Sequence, residues 1–447
     1  MSSDTTATVL GPLFGDAEVG AYLSDRAWLQ AMLEVETSLA EVEGELGVIP
    51  RQAVAAIQTA AQADRFDLAA LAAAAARDGN LAIPLVRQLT HAVEAIDRDA
   101  ARYVHWGATS QDVIDTALVL QLQGAVPPII RYLDRAAAAA AAHARRYVDT
   151  PMPGRTWLQQ STPITFGVKA AGWLDAVSRQ RNALADALEQ ARVLQFGGAS
   201  GTLASLGEHG AAVTERLASR LGLRTPAMPW HAYRDRLTYF ACALGVTCGT
   251  LGKIGRDVSL LAQTEVGEAA EGRSGGSSAM PHKKNPVGAS VAVAAAVRAP
   301  GLVATMLAAM PQEHERGLGG WQAEWATLPE LVLLTAGSSR AIATVVESLE
   351  IDKGRMRANL ESTHGLIMSE TVAMALAPYV GRSEAHEIVE LAARRAGNGG
   401  CTFIDALAAD PVVTRYLTRQ DLERHLSLEP YVAAARALVE RVVGKDT

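Results

Sequence analysis

The chain has 447 residues, too many for one small hydrophobic core, so we expect two or three domains. Alanine is abundant while aromatic residues make up only 5% of the chain, a balance that favours closely packed helices over sheets because alanine has the highest helix propensity. The formal net charge of −7 excludes a global attraction to nucleic acid, so an anionic ligand would require a local cluster of lysine and arginine.

The first residues and the cysteines bear on the compartment of the protein. The segment 1–4 lacks the basic and apolar stretches that begin a signal peptide. Cys242, Cys248 and Cys401 have no paired spacing typical of a disulfide framework or a metal site. We therefore expect a reducing compartment, the cytoplasm.

Helical periodicity dominates the first third of the chain. From Asp25 to Leu46 the apolar residues recur at helical spacing, and Gly47 closes the segment. Residues 66–79 are rich in alanine and also predict a helix. Two further helices are expected at 112–123 and 128–146.

The longest helical pattern lies in the middle of the chain. From Arg234 to Glu271 no proline interrupts the sequence, which predicts a single helix of about ten turns. A helix of that length is unusual in a globular protein and indicates a bundle that extends beyond one subunit. A second long helix is expected after Asn285.

The most apolar stretch, 287–310, is interrupted by Arg298 and Pro300 and predicts a buried helix pair rather than a membrane span. No run alternates with period two for more than a few residues, so we expect no sheet and an all-α fold. The predicted division is an N-terminal helical domain at 1–107, a central long-helix bundle at 108–355 and a C-terminal helical domain at 356–447.

The segment 272–286 between the two long predicted helices is rich in glycine and serine. Its backbone rearranges easily and offers N–H donors to an anion. Lys283 and Lys284 add positive charge, and the amide of Asn285 can donate and accept hydrogen bonds. Composition alone is equally typical of a mobile lid over an anion and of a plain connection between helices.

Residues 276–286 read Gly-Ser-Ser-Ala-Met-Pro-His-Lys-Lys-Asn-Pro, which resembles the signature of the fumarase/aspartase superfamily. Two further segments of that superfamily occur in the same order, Thr-Ser-Gln-Asp at 109–112 and Gly-Arg-Thr-Trp-Leu-Gln at 154–159. The resemblance covers nearly the whole chain. It implies three helical domains and a homotetramer with a shared central bundle, whose active sites form where three subunits meet.

The resemblance also implies a chemistry. The superfamily adds or eliminates groups across a carbon–carbon bond beside a carboxylate, through a carbanion that needs cations and N–H donors around the carboxylate oxygens. By resemblance, Ser277 transfers the proton, and Lys283 and Asn285 bind a substrate carboxylate. A serine can transfer a proton only if its pKa is strongly lowered, to which Lys283 and the N–H groups of the loop would contribute.

Two positions depart from the superfamily pattern together. Fumarases, argininosuccinate lyases and adenylosuccinate lyases carry histidine where this chain has Trp157, and glutamate where it has Ser290. The two replacements remove a complete acid–base pair, which argues against the chemistry of those three enzymes. The muconate cycloisomerase branch fits these departures and implies lactonisation of 3-carboxy-cis,cis-muconate, in which no water is activated. An indole at position 157 would exclude water from the pocket.

A substrate with three carboxylates needs several cations. The candidates are Lys283, Arg316, Arg155 and Arg234, since an arginine can bind a carboxylate through two parallel hydrogen bonds. For each arginine a structural salt bridge is an equal alternative, and the partners considered for Arg234 are Glu265, Glu268 and Glu271.

His105 precedes the Thr-Ser pair and is the best remaining conventional acid. Ser278 is a candidate ligand, although a loop-capping hydroxyl is the stronger alternative there. The other residues expected to bind substrate are Thr109, Ser110, Thr156, Trp157 and Gln159.

No pattern in the sequence indicates a metal site or a nucleotide cofactor, and we expect neither. The expected partners are a small polycarboxylate and further copies of the chain, with no nucleic acid and no membrane. Two alternatives stay open: a lyase acting on another small polycarboxylate such as a substituted succinate, and a catalytically silent structural protein.

Overall fold

The computed structural model describes residues 9–273, 275–276, 280, 283–397 and 401–444. The predicted site residues Ser277 and Ser278 lie outside the described residues. Helical turns, α and 3-10 together, make up 71% of the described residues, which confirms the all-α fold class. Two small two-stranded sheets accompany the helices, so the expectation of no sheet at all was wrong.

The elements follow in chain order. The helices are α1 (Gly11–Phe14), α2 (Ala17–Tyr22), α3 (Asp25–Leu46), α4 (Arg51–Ala60), α5 (Leu68–Asp78), α6 (Ala82–Glu94), α7 (Ser110–Arg146), α8 (Phe166–Ala191), α9 (Gly210–Arg220), α10 (Asp235–Leu261), α11 (Val287–Ala309), α12 (Gly320–Glu347), α13 (Lys353–Glu361), α14 (Ser369–Val380), α15 (Arg382–Gly397), α16 (Phe403–Ala408), α17 (Pro411–Tyr416), α18 (Arg419–His425) and α19 (Glu429–Val443). The strands are β1 (Pro151–Thr156), β2 (Gln159–Thr165), β3 (Ala269–Glu271) and β4 (Leu349–Ile351), and β1 pairs with β2 and β3 with β4, both antiparallel.

The chain forms two compact units. Unit 1 comprises Met1–Asp134, Arg179–Lys253 and Val291–Ala341, and unit 2 comprises Arg135–Ser178, Ile254–Ser290 and Ile342–Thr447. The division into three domains along the sequence stays a prediction.

Helix α3 in unit 1 has the bounds that its periodicity predicts. The hydroxyl of Ser24 accepts a hydrogen bond from the Ala27 N–H at the start, and Gly47, with φ 74°, ends the helix in the left-handed conformation that glycine adopts most easily. Its apolar face is buried, including Leu29, Met32, Leu33, Leu39 and Val42. Burial of this face, rather than helix propensity, accounts for its stability.

Helix α7 replaces the two helices predicted at 112–123 and 128–146. Pro127 and Pro128 lie inside it and remove two backbone donors, yet the helix continues for 37 residues. The neighbouring side chains of Val126 and Ile129 are fully buried in unit 1. Packing around the prolines therefore outweighs their local preference to end a helix.

Helix α10 ends at Leu261, ten residues before the predicted end at Glu271. In unit 2 the guanidinium of Arg355 donates to the carbonyls of Glu265 and Val266, at 2.8 and 3.1 Å, and Gly267 has φ 61°. These contacts stabilise a turn, after which β3 pairs with β4. The long-helix prediction was thus right about the core of α10 and wrong about its end.

Helix α11 is one continuous helix across Pro300 and not the predicted pair. By length and composition alone, α7, α10 and α11 could each cross a membrane. Within the chain 72% of the most apolar window of α7 is buried, 56% of that of α10 and only 28% of that of α11. One subunit therefore leaves most of this part of α11 uncovered.

Candidate active site

The carboxylate of Asp112, 1% exposed, organises the predicted site in unit 1. It accepts hydrogen bonds from the backbone N–H groups of Thr109 at 3.1 Å and of Gly197 and Gly198 at 2.9 Å. Its Oδ1 also lies 2.7 Å from Nε2 of His231. One buried acid thus joins three separate segments of the chain.

Thr109 and Ser110 lie at the start of α7, the longest helix of the chain. The first N–H groups of a helix have no partner within it, and the helix dipole places partial positive charge there. Both side chains are partly exposed. The position favours binding of a carboxylate, which agrees with the role predicted for these two residues.

Arg316 is held beside this helix start. Its Nε donates to Oε1 of Gln111 at 3.2 Å, and its Nη2 donates to the carbonyl of Ala199 at 3.1 Å. Among the described residues, no carboxylate lies within ion-pair distance of its guanidinium. Arg316 therefore keeps its charge available to an anion, as predicted for a substrate cation.

His105 adopts a left-handed backbone conformation, with φ 61°. Its Nδ1 lies 2.6 Å from Oε1 of Glu36, whose side chain is 1% exposed against 18% for that of His105. Burial acts to lower the pKa of His105, but the charge and hydrogen bond of Glu36 and the charge of Asp112 outweigh it and raise the pKa above its usual value. The imidazolium form is thereby favoured.

Arg234 is enclosed by acidic side chains in the interior of unit 1. Its side chain is 0% exposed, and it donates to Asp115 at 2.6 and 3.0 Å and to Glu324 at 2.9 Å. A fully buried guanidinium between two acids is a structural ion pair, the alternative considered for this arginine. The structure contradicts both the predicted substrate contact and the suggested partners Glu265, Glu268 and Glu271.

In unit 2, the segment that resembles the superfamily pattern at 154–159 forms a β-hairpin. Thr156 pairs with Gln159, and the two turn residues, Trp157 and Leu158, have φ 52° and 64°. Positive φ at both positions is the geometry of a type I′ turn, which normally carries Asn-Gly. The side chains of Trp157 and Leu158 are 97% and 81% exposed in the single chain. A strained tip that presents an indole is typical of a functional position.

Arg155 holds this hairpin close to its tip, where it pairs with Gln160. It donates two hydrogen bonds to Glu268, at 2.8 and 2.6 Å, and the Glu268 side chain is fully buried. Asn359 donates to the same carboxylate at 2.8 Å. The salt-bridge alternative therefore describes Arg155 better than a free substrate cation.

The two ends of the signature loop are tied together in unit 2. Gly275 and Asn285 exchange backbone hydrogen bonds at 3.0 and 2.9 Å, and the Asn285 amide donates to the carbonyl of Gly276 at 3.1 Å. Glu271 accepts from the N–H groups of Gly288 and Ala289 at the start of α11. The Asn285 amide thus supports the loop, and the side chain of Lys283 is exposed.

Ser290 contributes no acid–base group to this region. Its hydroxyl donates to the carbonyl of Val287 at 2.7 Å within the first turn of α11.

From the sequence, no role in the site was assigned to Glu36 or Asp112. A signal for Glu36 was present, because it lies among the apolar residues of α3 at helical spacing, where a charged side chain needs a buried partner.

Comparison with known proteins gives the family of the chain. Residues 17–301 match the family described as Lyase, and residues 365–442 match that described as Adenylosuccinate lyase C-terminus. The 3-carboxy-cis,cis-muconate cycloisomerase of Pseudomonas aeruginosa is 51% identical over 436 residues, 97% of this chain and 95% of that protein. The nitrosuccinate lyase of Streptomyces davaonensis is 42% identical over 448 residues, 98% of this chain and 94% of that protein.

A solved structure agrees with the sequence relatives. The 3-carboxy-cis,cis-muconate lactonizing enzyme from Pseudomonas putida matches with a TM-score of 0.91 at 46% identity, covering 98% of this chain and 99% of that chain. By sequence and by fold, the chain belongs to the lyase family, within the fumarase/aspartase superfamily.

Proposed function

We propose that the protein is a cycloisomerase that converts 3-carboxy-cis,cis-muconate into a carboxymuconolactone, a step of protocatechuate degradation. The observation that carries the proposal is the 51% identity, along 97% of the chain, to a cycloisomerase of that name. The departures at Trp157 and Ser290 agree with it, since an intramolecular reaction has no water or ammonia to activate.

The reaction closes a ring within one molecule. A carboxylate oxygen of the substrate attacks a carbon of a double bond conjugated to another carboxylate, and the electron pair of that double bond moves onto the second carboxylate. The resulting aci-carboxylate carries extra negative charge until its α-carbon takes up one proton. One C–O bond and one C–H bond form, no group leaves, and no electron is transferred to a cofactor.

The described residues can stabilise the charge that develops. We assign substrate carboxylates to Arg316 and to the start of α7 with Thr109 and Ser110, where a cation lies beside the positive end of a helix dipole. Lys283 adds a cation from the signature loop. For the hairpin tip we propose that Trp157, with Thr156 and Gln159 beside it, excludes water and shapes the pocket around a planar diene.

We assign proton transfer to Ser277 and His105. Ser277 holds the superfamily position for that role, and we propose that Ser278 and Asn285 of the same segment bind the substrate. Against the opposing effect of burial, the charge and hydrogen bond of Glu36 raise the pKa of His105, which favours its role as a proton donor.

The assembly that we propose is a homotetramer with active sites shared among subunits. The uncovered window of α11 and the exposed tip with Trp157 and Leu158 support it, because apolar surface of this kind is usually covered by a partner. We propose the cytoplasm as its location, in line with three free cysteines.

A second candidate is elimination from a substituted succinate, which the 42% identity to a nitrosuccinate lyase favours. Both reactions pass through a carboxylate-stabilised carbanion, so Trp157 and Ser290 do not separate them.

The test compares the purified protein on two substrates. With 3-carboxy-cis,cis-muconate we expect the ultraviolet absorbance of the conjugated diene to disappear, and a lactone to be the product. With nitrosuccinate, elimination would release nitrite and leave fumarate. A higher kcat/KM on nitrosuccinate, or no turnover of the diene, would replace the first proposal by the second.

A further inference from the structure

The superfamily's histidine–glutamate pair is missing from positions 157 and 290, but the structure contains another imidazole–carboxylate pair. His105 and Glu36 approach to 2.6 Å although 69 residues separate them in the chain. We propose that Glu36 is a positioning residue that holds the His105 ring with Nδ1 protonated, so that Nε2 is the atom that exchanges a proton during catalysis. This proposal rests on the proposed function.

The geometry fixes the tautomer of the ring. The carboxylate of Glu36 can only accept, so Nδ1 of His105 must carry the hydrogen of their bond. In the neutral ring, Nε2 is then the lone-pair atom, and in the imidazolium it is the second N–H donor. Among the described residues no hydrogen bond to Nε2 is formed, and 18% of the side chain is exposed.

The backbone that carries His105 is held in an uncommon conformation. His105 lies in the left-handed region, and two residues later Gly107 has φ 73°. A Cβ on Gly107 would approach the Leu206 side chain to 2.6 Å, so the loop is closely packed at this point. A conformation of this kind persists only where its surroundings impose it, and it recurs at functional sites.

Of the buried acids on α3, only Glu36 is bonded to His105. Glu43 follows seven residues later in α3, is 0% exposed, and neither of its carboxyl oxygens has a hydrogen-bond partner among the described residues. Burial, and then the charge of Glu36, raise the pKa of Glu43 to about 9, so Glu43 is neutral near pH 7. The negative charge of Glu36 is therefore directed at His105.

The other charged groups near the pair are accounted for. From α7, Asp112 faces His105 and is itself paired with His231. From α4, Arg51 donates to the carbonyl of Gly44 rather than to a carboxylate. His105 and Glu36, from the loop before α7 and from α3, thus form an imidazole–carboxylate pair. It is of the same kind as the histidine–glutamate pair that positions 157 and 290 lack.

The experiment replaces Glu36 by Gln and compares it with Glu43→Gln, the same change on the same helix at a side chain that is already neutral. The pKa of His105 is followed by mass spectrometry of hydrogen exchange at its Cε1, which resolves individual histidines and needs no substrate. The pH dependence of kcat and KM is measured on 3-carboxy-cis,cis-muconate.

For Glu36→Gln we expect the pKa of His105 to fall by about one unit or more, since a unit corresponds to a tenfold change in the protonated fraction. The alkaline limb of the kcat profile should move down by the same amount, with kcat at pH 8 reduced about tenfold and KM changed little. For Glu43→Gln we expect the pKa of His105 and the pH profile of kcat to stay as in the wild type. Glu36→Asp keeps the negative charge, so the pKa of His105 should stay as high as in the wild type. The shorter aspartate side chain should move the His105 ring out of position and thereby lower kcat.

An unchanged His105 pKa, or an unchanged alkaline limb, in Glu36→Gln would overturn the proposal, as would equal effects of the two Gln variants. If Glu36→Gln does not fold, Glu36→Asp decides: a pKa as high as in the wild type with a lower kcat supports the proposal, and a wild-type kcat refutes it. Failure of the proposed function would instead appear as wild-type protein that does not turn over the diene.

Discussion

Arg155 and Glu268 form an ion pair with two hydrogen bonds, at 2.8 and 2.6 Å, close to the tip of the hairpin that presents Trp157. The Glu268 side chain is fully buried, and this arginine and the Asn359 amide both donate to its carboxylate. The arginine of the superfamily segment therefore supports the indole beside it.

Replacing Arg155 by Met should lower the free energy of unfolding by about 2–4 kcal/mol, because it leaves the Glu268 carboxylate buried without a cation. Arg436→Met is the matched control: Arg436 pairs with Asp149 at the surface of the same unit, with side chains 54% and 53% exposed. We expect the control to cost much less, because exposed ion pairs contribute little to stability. Urea unfolding measures both, and equal losses would contradict the anchoring role.

Arg234 and Arg316 should respond in opposite ways to replacement by Met. Arg234→Met leaves Asp115 and Glu324 buried and unpaired, so we expect a loss of about 3–5 kcal/mol or failure to fold. Arg316→Met should change stability by less than about 1 kcal/mol, while KM rises about 10- to 100-fold through loss of a charged hydrogen bond to substrate. A stable Arg234→Met protein with only a raised KM would reverse this assignment.

Glu43 should make the protein less stable as the pH rises. Its folded-state pKa, about 9, exceeds the usual 4.5, so between these values the folded state keeps a proton that the unfolded state releases. Stability therefore falls with increasing pH in this window, by roughly 3 kcal/mol up to pH 7.

Glu43→Met should remove that slope and raise the free energy of unfolding at pH 7 by about 1–3 kcal/mol. Glu41→Met, on the same helix but with a partly exposed, ion-paired side chain, serves as the control and should leave the slope in place. Urea unfolding at several pH values distinguishes the two. A slope that persists in Glu43→Met would show that another group is responsible.

Shared active sites predict complementation between inactive variants. Ser277→Ala and His105→Gln should each lose turnover while retaining the assembly, measured by light scattering. If one subunit contributes Ser277 and another His105, then tetramers mixed by mild dissociation and reassociation contain some sites with both residues. About a quarter of the wild-type activity is expected from random mixing. No recovery, in mixtures shown to contain both chains, would place both residues in sites made by one subunit.

Local sequence patterns were sufficient for much of the fold. The periodicity and the end signal at Gly47 predicted α3 residue for residue, because its caps and its apolar face lie within one segment. The prolines of α7 and the end of α10 were misjudged, since distant packing and the hydrogen bonds of Arg355 decide them.

The residues of the candidate site were likewise predictable only where local sequence decides them. Motif residues could be found from the sequence, whereas the partners of Arg234, and Glu36 opposite His105, depend on tertiary contacts across 69 or more residues. A buried arginine and a substrate-binding arginine look alike in a sequence, because only burial and the neighbouring acids separate them.

The most direct measurement of the central claim is turnover of 3-carboxy-cis,cis-muconate in deuterium oxide, with the product analysed by mass spectrometry and NMR. The account predicts a lactone that carries a single carbon-bound deuterium, next to a carboxylate, because the carbanion takes its proton from a group that exchanges with solvent. A product without a lactone ring, or a lactone without deuterium at that carbon, would contradict it.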